Sequence, residues 1–133
     1  MRTGFLIGMI ALLICSCSSV KKTSKTSATL TKAVQDSTEY VIQITDPQFD
    51  LWYHQNYSPV TDYSKEYYRG QNLVGVVNWN NYYIEGKYCW IIESTIDYRP
   101  EIDYSIDLER TLYWYFKYIS INYNIRLFST PPI

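Results

Sequence analysis

The chain has 133 residues, with 12 Lys and Arg against 13 Asp and Glu, and a formal net charge of −1. This length fits one domain, and the balanced charge argues against a nucleic-acid-binding protein, which needs a clustered basic surface. Aromatic residues make up 17% of the chain, yet Phe5 alone precedes residue 39. The sequence therefore divides into an aromatic-poor front and an aromatic-rich back.

The front begins with a predicted lipoprotein signal peptide over residues 1–16. Arg2 is followed by an uncharged apolar run over residues 4–14. This run is too short for a membrane-spanning helix of about 20 residues and is typical of a signal peptide. A branched aliphatic residue and Ser16 stand three residues and one residue before Cys17, which resembles a bacterial lipobox. We expect Cys17 to be the lipid attachment site; the alternative is an ordinary secretory signal without lipid.

Residues 17–38 are predicted to form a lipidated, disordered tether, because they are rich in Ser, Thr and Lys and offer almost nothing apolar to bury. After cleavage and lipidation, Cys89 would be the one remaining cysteine, and its apolar neighbours predict a buried, inert thiol. The anchor predicts a cell-envelope location at the outer membrane. No acidic residue closely follows Cys17, which favours the periplasmic face.

Residues 39–129 are predicted to form a single aromatic-rich globular domain of the α+β class, with helices packed on a minimal two-stranded sheet. The first strand is expected near 39–45, where β-forming residues partly alternate with polar ones. Asp46 and Pro47 then suit the cap and first turn of a short helix that ends near Gln55. The second strand is expected at 125–128, paired with the first.

Two longer helices are predicted between these strands. One begins near Thr61 or Asp62 and ends near Gly86; a strand over 73–79 remains the alternative, because Gly75 weakens a helix by about 1 kcal/mol relative to Ala. Residues 88–96 are compatible with either a helix or a strand. The clearest helix follows a cap at Asp103 or Ser105 and runs to about residue 122. The predicted helical stripe of the first of these two helices consists of Tyr68, Asn72, Val76, Trp79 and Tyr83.

Five carboxylates lie within residues 97–109, which raises the question of a metal or hydrolytic site. Calcium needs six to eight oxygen ligands, and a carboxylate-based hydrolase needs two carboxyl groups at a fixed spacing. Asp97, Asp103 and Asp107 are the weak candidates for either role. The favoured interpretation is that Asp103 caps the last helix, while Asp107 and Glu109 stabilise its N-terminal end. No catalytic residue, metal site or cofactor is therefore predicted.

The aromatic residues suggest a binding function. Flat Tyr and Trp rings stack on sugars, and tyrosine-rich patches are also favoured at protein interfaces. Most of these rings must form the core of so small a domain, so a core with a partner-binding surface is the favoured interpretation. The candidate ligand-binding residues are Trp79, Tyr82, Tyr83 and Trp90.

Over residues 39–128 the sequence resembles a group of small uncharacterised lipoproteins of Bacteroidota, a domain of unknown function. The resemblance implies a source and a location, and no activity. The residues that carry it are Asp46-Pro47, Phe49, Trp52, Tyr67-Tyr68, Asn72, Trp79-Asn80, the doubled Ile-Asp-Tyr at 96–98 and 102–104 around Pro100, Leu112-Tyr113 and Tyr115-Phe116.

The sequence therefore predicts a membrane-anchored envelope lipoprotein that is not an enzyme and that binds an envelope protein partner. Carbohydrate binding through surface Trp and Tyr is the alternative, and a carboxylate-based hydrolase is a third. The membrane is contacted through the lipid anchor, a glycan is a possible ligand, and no nucleic acid is expected.

Overall fold

The computed structural model describes residues 28–32 and 40–129. In chain order these form strand β1 (Ala28–Lys32), strand β2 (Tyr40–Ile44), helix α1 (Pro47–Asn56), a 3-10 turn (Pro59–Thr61), helix α2 (Lys65–Ile84) and helix α3 (Ile106–Asn122). The predicted α+β class with a two-stranded sheet is confirmed. The predicted signal peptide and Cys17 lie outside the described residues.

The sheet consists of β1 and β2, which pair antiparallel from Ala28 opposite Ile44 to Lys32 opposite Tyr40. β2 is the strand predicted near 39–45. β1 lies inside the segment predicted to be a tether, so that prediction is wrong for residues 28–32. Ala28 and Leu30 face the core while Thr29 faces outward. This strand alternation is easily missed in a segment dominated by Ser, Thr and Lys.

The strand predicted at 125–128 is wrong, because these residues have no regular secondary structure. Their carbonyl groups bind side chains of α2: Asn78 Nδ2 donates to the Leu127 carbonyl at 2.8 Å, and the Tyr82 hydroxyl donates to the Arg126 carbonyl at 2.9 Å. Leu127 and Phe128 are buried. Their apolar character therefore reflects packing under α2, and the backbone does not join a sheet.

Side-chain caps fix where the three helices begin. The Asp46 carboxylate accepts from the Gln48 N–H at 2.9 Å, as predicted for α1. The Ser105 hydroxyl accepts from the Leu108 N–H at 3.2 Å, so Ser105 caps α3 and the assignment of this cap to Asp103 is wrong. Each cap satisfies one of the N–H groups that the first helical turn leaves without a backbone partner.

Helix α2 is continuous through residues 73–79, so the alternative strand is wrong there. Gly75 is buried where α2 crosses α3, and a Cβ at this position would lie 2.4 Å from the Phe116 ring. This glycine therefore serves close helix packing and does not break the helix. α1 packs on the other side of α3, where the Phe49 ring contacts Tyr115 and Tyr118 at 5.4 and 5.6 Å.

Candidate functional site

Helices α2 and α3 start at one end of the domain and finish at the other. Near their starts, Lys65 Nζ lies 2.6 Å from the Asp103 carboxylate, two residues before the α3 cap. Near their ends, Tyr82 binds the Arg126 carbonyl, which follows α3. We call the first the charged end, with Asp62, Lys65, Asp103, Asp107 and Arg110. The second is the Trp90 end, with Ile84, Lys87, Trp90, Ile121 and Arg126.

Arg110 organises the charged end. Its Nε and Nη2 atoms donate to the Asp62 carboxylate at 3.0 and 2.6 Å, and its Nη1 donates to Asp107 at 2.6 Å. The Tyr68 hydroxyl also donates to Asp62. The Arg110 hydrogen bond holds the pKa of Asp62 below its usual value, so this carboxylate stays ionised at neutral pH.

Two tyrosines cover this network at the surface. Tyr63 and Tyr67 stack with ring centroids 4.4 Å apart and an interplanar angle of 28°, and they keep exposed fractions of 44% and 40%. Both rings contact the edge or face of buried Tyr113. The Tyr63 N–H donates to Asp62 at 3.0 Å. The pair therefore presents amphipathic aromatic surface on a fixed support, which is typical of protein interfaces.

The three carboxylates considered for metal binding or hydrolysis do not form one site. Asp97 pairs with Arg99 at 3.1 Å, Asp103 with Lys65, and Asp107 with Arg110. Within the described ranges, no three His, Cys, Asp or Glu side chains lie together as metal ligands. Each candidate carboxylate is paired with a different Lys or Arg side chain. The arrangement therefore lacks the two opposed carboxyl groups that hydrolysis needs.

Glu109 belongs to a buried polar network that the sequence analysis missed. It is fully buried; the Tyr98 hydroxyl donates to its Oε1 at 2.8 Å, and Asn72 Nδ2 donates to its Oε2 at 2.7 Å. Asn72 Nδ2 also donates to the Glu109 carbonyl at 2.8 Å, which ties α2 to α3. Burial, followed by the bond to Glu109, raises the pKa of Tyr98. Asn72 on an apolar helical stripe was the available signal, because a buried amide needs a partner.

The four predicted ligand-binding aromatics do not share one surface. Trp79 is 1% exposed, packs against Tyr115 and Phe116, and donates its Nε1–H to the Ser94 carbonyl at 2.8 Å. Trp79 is therefore a core residue, which corrects its placement on a sugar platform. Tyr82 is half-buried, Tyr83 is exposed, and Trp90 is 69% exposed.

Trp90 is displayed by a strained turn. Its ring stands edge-on to Tyr88 at 5.7 Å, and Tyr88 stands edge-on to Tyr82 at 5.1 Å. Tyr88 has a φ of +55°, a conformation that is unfavourable for a bulky residue. The N–H groups of Ile91 and Ile92 both donate to the Tyr88 carbonyl at 2.8 Å. The turn therefore holds Trp90 outward at a conformational cost.

Cys89, between these two aromatics, is half-buried and disulfide-bonded. The prediction of a buried, inert thiol is therefore wrong for this structure. Cys15 and Cys17 both lie outside the described residues.

Residues 4–130 of the chain match the sequence model of a family of unknown function, DUF6146. The chain belongs to this family. Membership in DUF6146 confirms the predicted resemblance to an uncharacterised family, whereas the Bacteroidota source and the lipid remain predictions. No curated protein and no solved structure matches the chain. Of the helices in the described part, none is both long and apolar enough to span a membrane.

Proposed function

We propose that this member of DUF6146 is a lipid-anchored envelope lipoprotein whose domain binds another envelope protein and is not an enzyme. The anchor is supported by the apolar run over residues 4–14 and by the residues that precede Cys17. Several acyl chains on one cysteine give stable membrane attachment, at about 0.8 kcal/mol per buried methylene. The proposed location is the outer membrane, on its periplasmic face.

The observation that carries the binding role is the exposed Tyr63–Tyr67 stack at the charged end. Tyrosine loses little conformational freedom on binding and combines an apolar face with a hydroxyl group. The Tyr63 N–H donates to Asp62, and both rings pack against buried Tyr113. The pair is therefore positioned before any partner arrives, which lowers the entropic cost of association. The ion-paired state of Asp97, Asp103 and Asp107 favours binding over hydrolysis as the role of this end.

The anchor is tested with two single-cysteine variants of the full chain in a bacterial host that processes lipoproteins. Cys17→Ser should move the protein from the detergent phase to the aqueous phase, whereas the matched control Cys15→Ser should stay in the detergent phase. Mass spectrometry of the mature N-terminus should show acyl chains on Cys17. Cleavage before Cys17 would remove Cys15, so in the lipidated mature chain the Cys89 disulfide could be formed only with a second chain. A Cys17–Cys89 disulfide in the mature protein would contradict the proposal, because a thioether and a disulfide on the same sulfur exclude each other.

The binding role is tested by placing a photo-crosslinking amino acid at position 67 and, as a control, at position 55. Both positions are exposed, and Gln55 lies on α1, outside the Tyr63–Tyr67 stack. A second control is Asn81, an exposed position on the same helix as Tyr67 and about 21 Å further along its axis, at 1.5 Å per residue. We expect one discrete crosslinked protein from position 67 in intact cells, and none from position 55 or position 81. The same crosslinked protein should be lost when Tyr63→Ala removes the stacking partner. Equal labelling from all three positions would contradict a defined interface.

Carbohydrate binding keeps one specific observation in its favour, the exposed Trp90 indole. The rest of its predicted platform is not available, since Trp79 lies in the core and Tyr82 is engaged with Arg126. Tryptophan fluorescence titrated with oligosaccharides would detect such binding, and Trp90→Ala should abolish it. Sugar binding that survives Trp90→Ala would need a different surface.

A further inference from the structure

We infer that the Trp90 end of the domain lies against the lipid bilayer, with the Trp90 indole at the membrane–water interface. This inference rests on the proposed anchor at Cys17, and it adds which face of the domain meets the membrane. Three features support this orientation. They are the position at which the chain enters the domain, the distance that residues 18–27 can span between Cys17 and the domain, and the exposed side chains on the entry face.

The chain enters the domain at the Trp90 end. The last pair of the sheet joins Lys32 to Tyr40, and the Tyr40 ring lies 5.2 Å from Tyr104, beside the start of α3. The first pair, Ala28 with Ile44, therefore lies toward the other end of α3. Two residues after Ile44 comes the α1 cap, and Phe49 of α1 packs on Tyr115 and Tyr118 in the second half of α3.

The segment after Trp90 lies in the same region, because Trp79, whose ring packs on Tyr115, donates its Nε1–H to the Ser94 carbonyl at 2.8 Å. Burial raises the pKa of the Tyr115 hydroxyl, and the carboxylates of Asp46 and Glu93 raise it further. Asp46 follows Ile44 closely, and Glu93 follows Trp90 closely. Both segments therefore approach the same hydroxyl group, so the entry point of the chain and the Trp90 turn share one end of the domain.

The distance from Cys17 to the domain is short. Ten residues, 18–27, separate Cys17 from Ala28, and a fully extended chain of this length reaches at most about 35–40 Å. A domain of this size is about 30 Å across, on the order of twice its radius of gyration. An anchored domain therefore stays within about 40 Å of the bilayer, which brings its entry face within reach of the lipid.

The exposed side chains of this entry face suit a membrane surface. Ile84 is 77% exposed at the last position of α2, and Ile121 is half exposed near the end of α3. Trp90 is 69% exposed on the strained Tyr88 turn, at the same end of the domain. Trp is favoured at the headgroup level of a bilayer, where its ring is apolar and its N–H can still find a polar partner.

The two ends of the domain differ in the exposed charged side chains that they carry. The most exposed carboxylates of the ion pairs, Asp103 and Asp107, lie at the charged end, away from the chain entry. At the Trp90 end, Lys87 is paired with Glu85 at 2.7 Å, and Arg126 and Glu93 are also exposed, so the charges beside the apolar side chains are balanced. An orientation with the Trp90 end down keeps Asp103 and Asp107 away from anionic headgroups and leaves the Tyr63–Tyr67 stack free for a partner.

The test uses the mature, lipidated full chain reconstituted in vesicles of phosphatidylethanolamine and phosphatidylglycerol, with or without bromine atoms on the acyl chains. Bromine quenches tryptophan fluorescence within the bilayer. We expect brominated lipid to remove most of the emission contributed by position 90, and we expect vesicles to protect that position from aqueous acrylamide. The quenchable component should be absent in Trp90→Phe and retained in the control Trp52→Phe, whose ring packs on Trp114 and Tyr118.

The outcomes separate the anchor from the orientation. Protein that co-floats with vesicles while Trp90 stays open to acrylamide overturns this inference and leaves the anchor intact. Protein that does not co-float overturns the anchor, and the orientation with it. Protection of Trp90 that requires an oligosaccharide or a second protein, and does not occur with vesicles alone, also overturns the inference.

Discussion

The α2–α3 interface and the β1–β2 sheet hold the chain by different means. The two helices meet at Gly75 and Phe116 and share the buried Asn72–Glu109–Tyr98 network. Among the described helices and strands, β1 contacts β2 alone, whereas β2 also contacts α3. Global stability should therefore depend on the helical interface, while the sheet should open locally. The predictions that follow test this difference.

Alkaline pH should produce the largest effect, because it acts on the packed helical side. Burial raises the pKa of the hydroxyls of Tyr98, Tyr113, Tyr115 and Tyr118. A raised pKa in the folded state gives stability that is complete below the unfolded value of about 10 and is lost as the pH rises above it. Each such group lowers the free energy of unfolding by about 1.4 kcal/mol for each pH unit above about 10. The four groups together therefore lower it by about 5 kcal/mol per pH unit.

Urea midpoints measured between pH 8 and about 11 check this prediction, and tyrosinate absorbance counts the hydroxyls that titrate. At least four tyrosines that ionise only with unfolding would agree with the structure, since burial also raises the pKa of Tyr53, Tyr68 and Tyr104. Smooth ionisation of every tyrosine in the folded protein would contradict it.

Glu109→Ala should destabilise the domain by about 3 kcal/mol, because the buried Tyr98 hydroxyl and one of the two Asn72 amide hydrogens lose their acceptor, at about 1–3 kcal/mol each, while Asn72 keeps its bond to the backbone carbonyl of residue 109. Tyr98→Phe should cost only about 1 kcal/mol, since the carboxylate keeps its bond from Asn72. Thermal or urea unfolding measures both. Glu101→Ala, at an exposed position of the neighbouring loop, is the control and should change stability by less than about 0.5 kcal/mol. A Glu109→Ala variant as stable as this control would mean that the network is not formed.

A matched glycine pair on α2 tests the close helix crossing. Gly75→Ala should destabilise by about 1–3 kcal/mol, because the added Cβ meets the fully buried Phe116 ring. Gly70→Ala should stabilise by roughly 0.5–1 kcal/mol, since its site is open and Ala favours a helix. Urea unfolding of both variants gives the difference. An equal increase in the free energy of unfolding in both variants would show that α2 and α3 do not approach closely at Gly75.

Sequence patterns captured the parts of this fold that depend on local chemistry. The Asp46–Pro47 helix start and the apolar stripe of α3 follow from capping and periodicity, and both are present. β1 was missed because its strand character depends on the partner β2, and its own residues resemble a polar linker. Glu109 was misplaced because an acid in a first helical turn is usually solvated. Only the distant Asn72 and Tyr98 make its burial favourable.

The candidate surfaces were predictable to a smaller degree. Trp90, predicted as a ligand-binding residue, is exposed, and its ligand-binding role stays a prediction. The Tyr63–Tyr67 stack was missed, because exposure depends on how the turn before α2 folds over Arg110. Periodicity cannot separate a core ring such as Trp79 from a displayed one, since both occur in aromatic-rich segments.

Asp62→Asn should show a moderate, pH-dependent loss at the charged end. The lowered pKa of Asp62 gives stability that is present above the unfolded value near 4 and is lost as the pH falls through the folded value. Because both partners are partly exposed, we expect only about 1 kcal/mol at pH 7. The difference from wild type in urea unfolding should disappear at low pH. Asp103→Asn, with a largely exposed carboxylate, should show no measurable change.

Leu30→Ala should have the smallest effect on global stability and the clearest effect on the sheet. Leu30 packs against the core from β1, but among the described helices and strands β1 contacts β2 alone. The variant should therefore raise the hydrogen-exchange rates of the β1–β2 amides while the α2–α3 amides and the urea midpoint change little. A parallel loss of protection in the sheet and in the helices would contradict the difference drawn here, because it would mean that β1 unfolds only when the helical interface does.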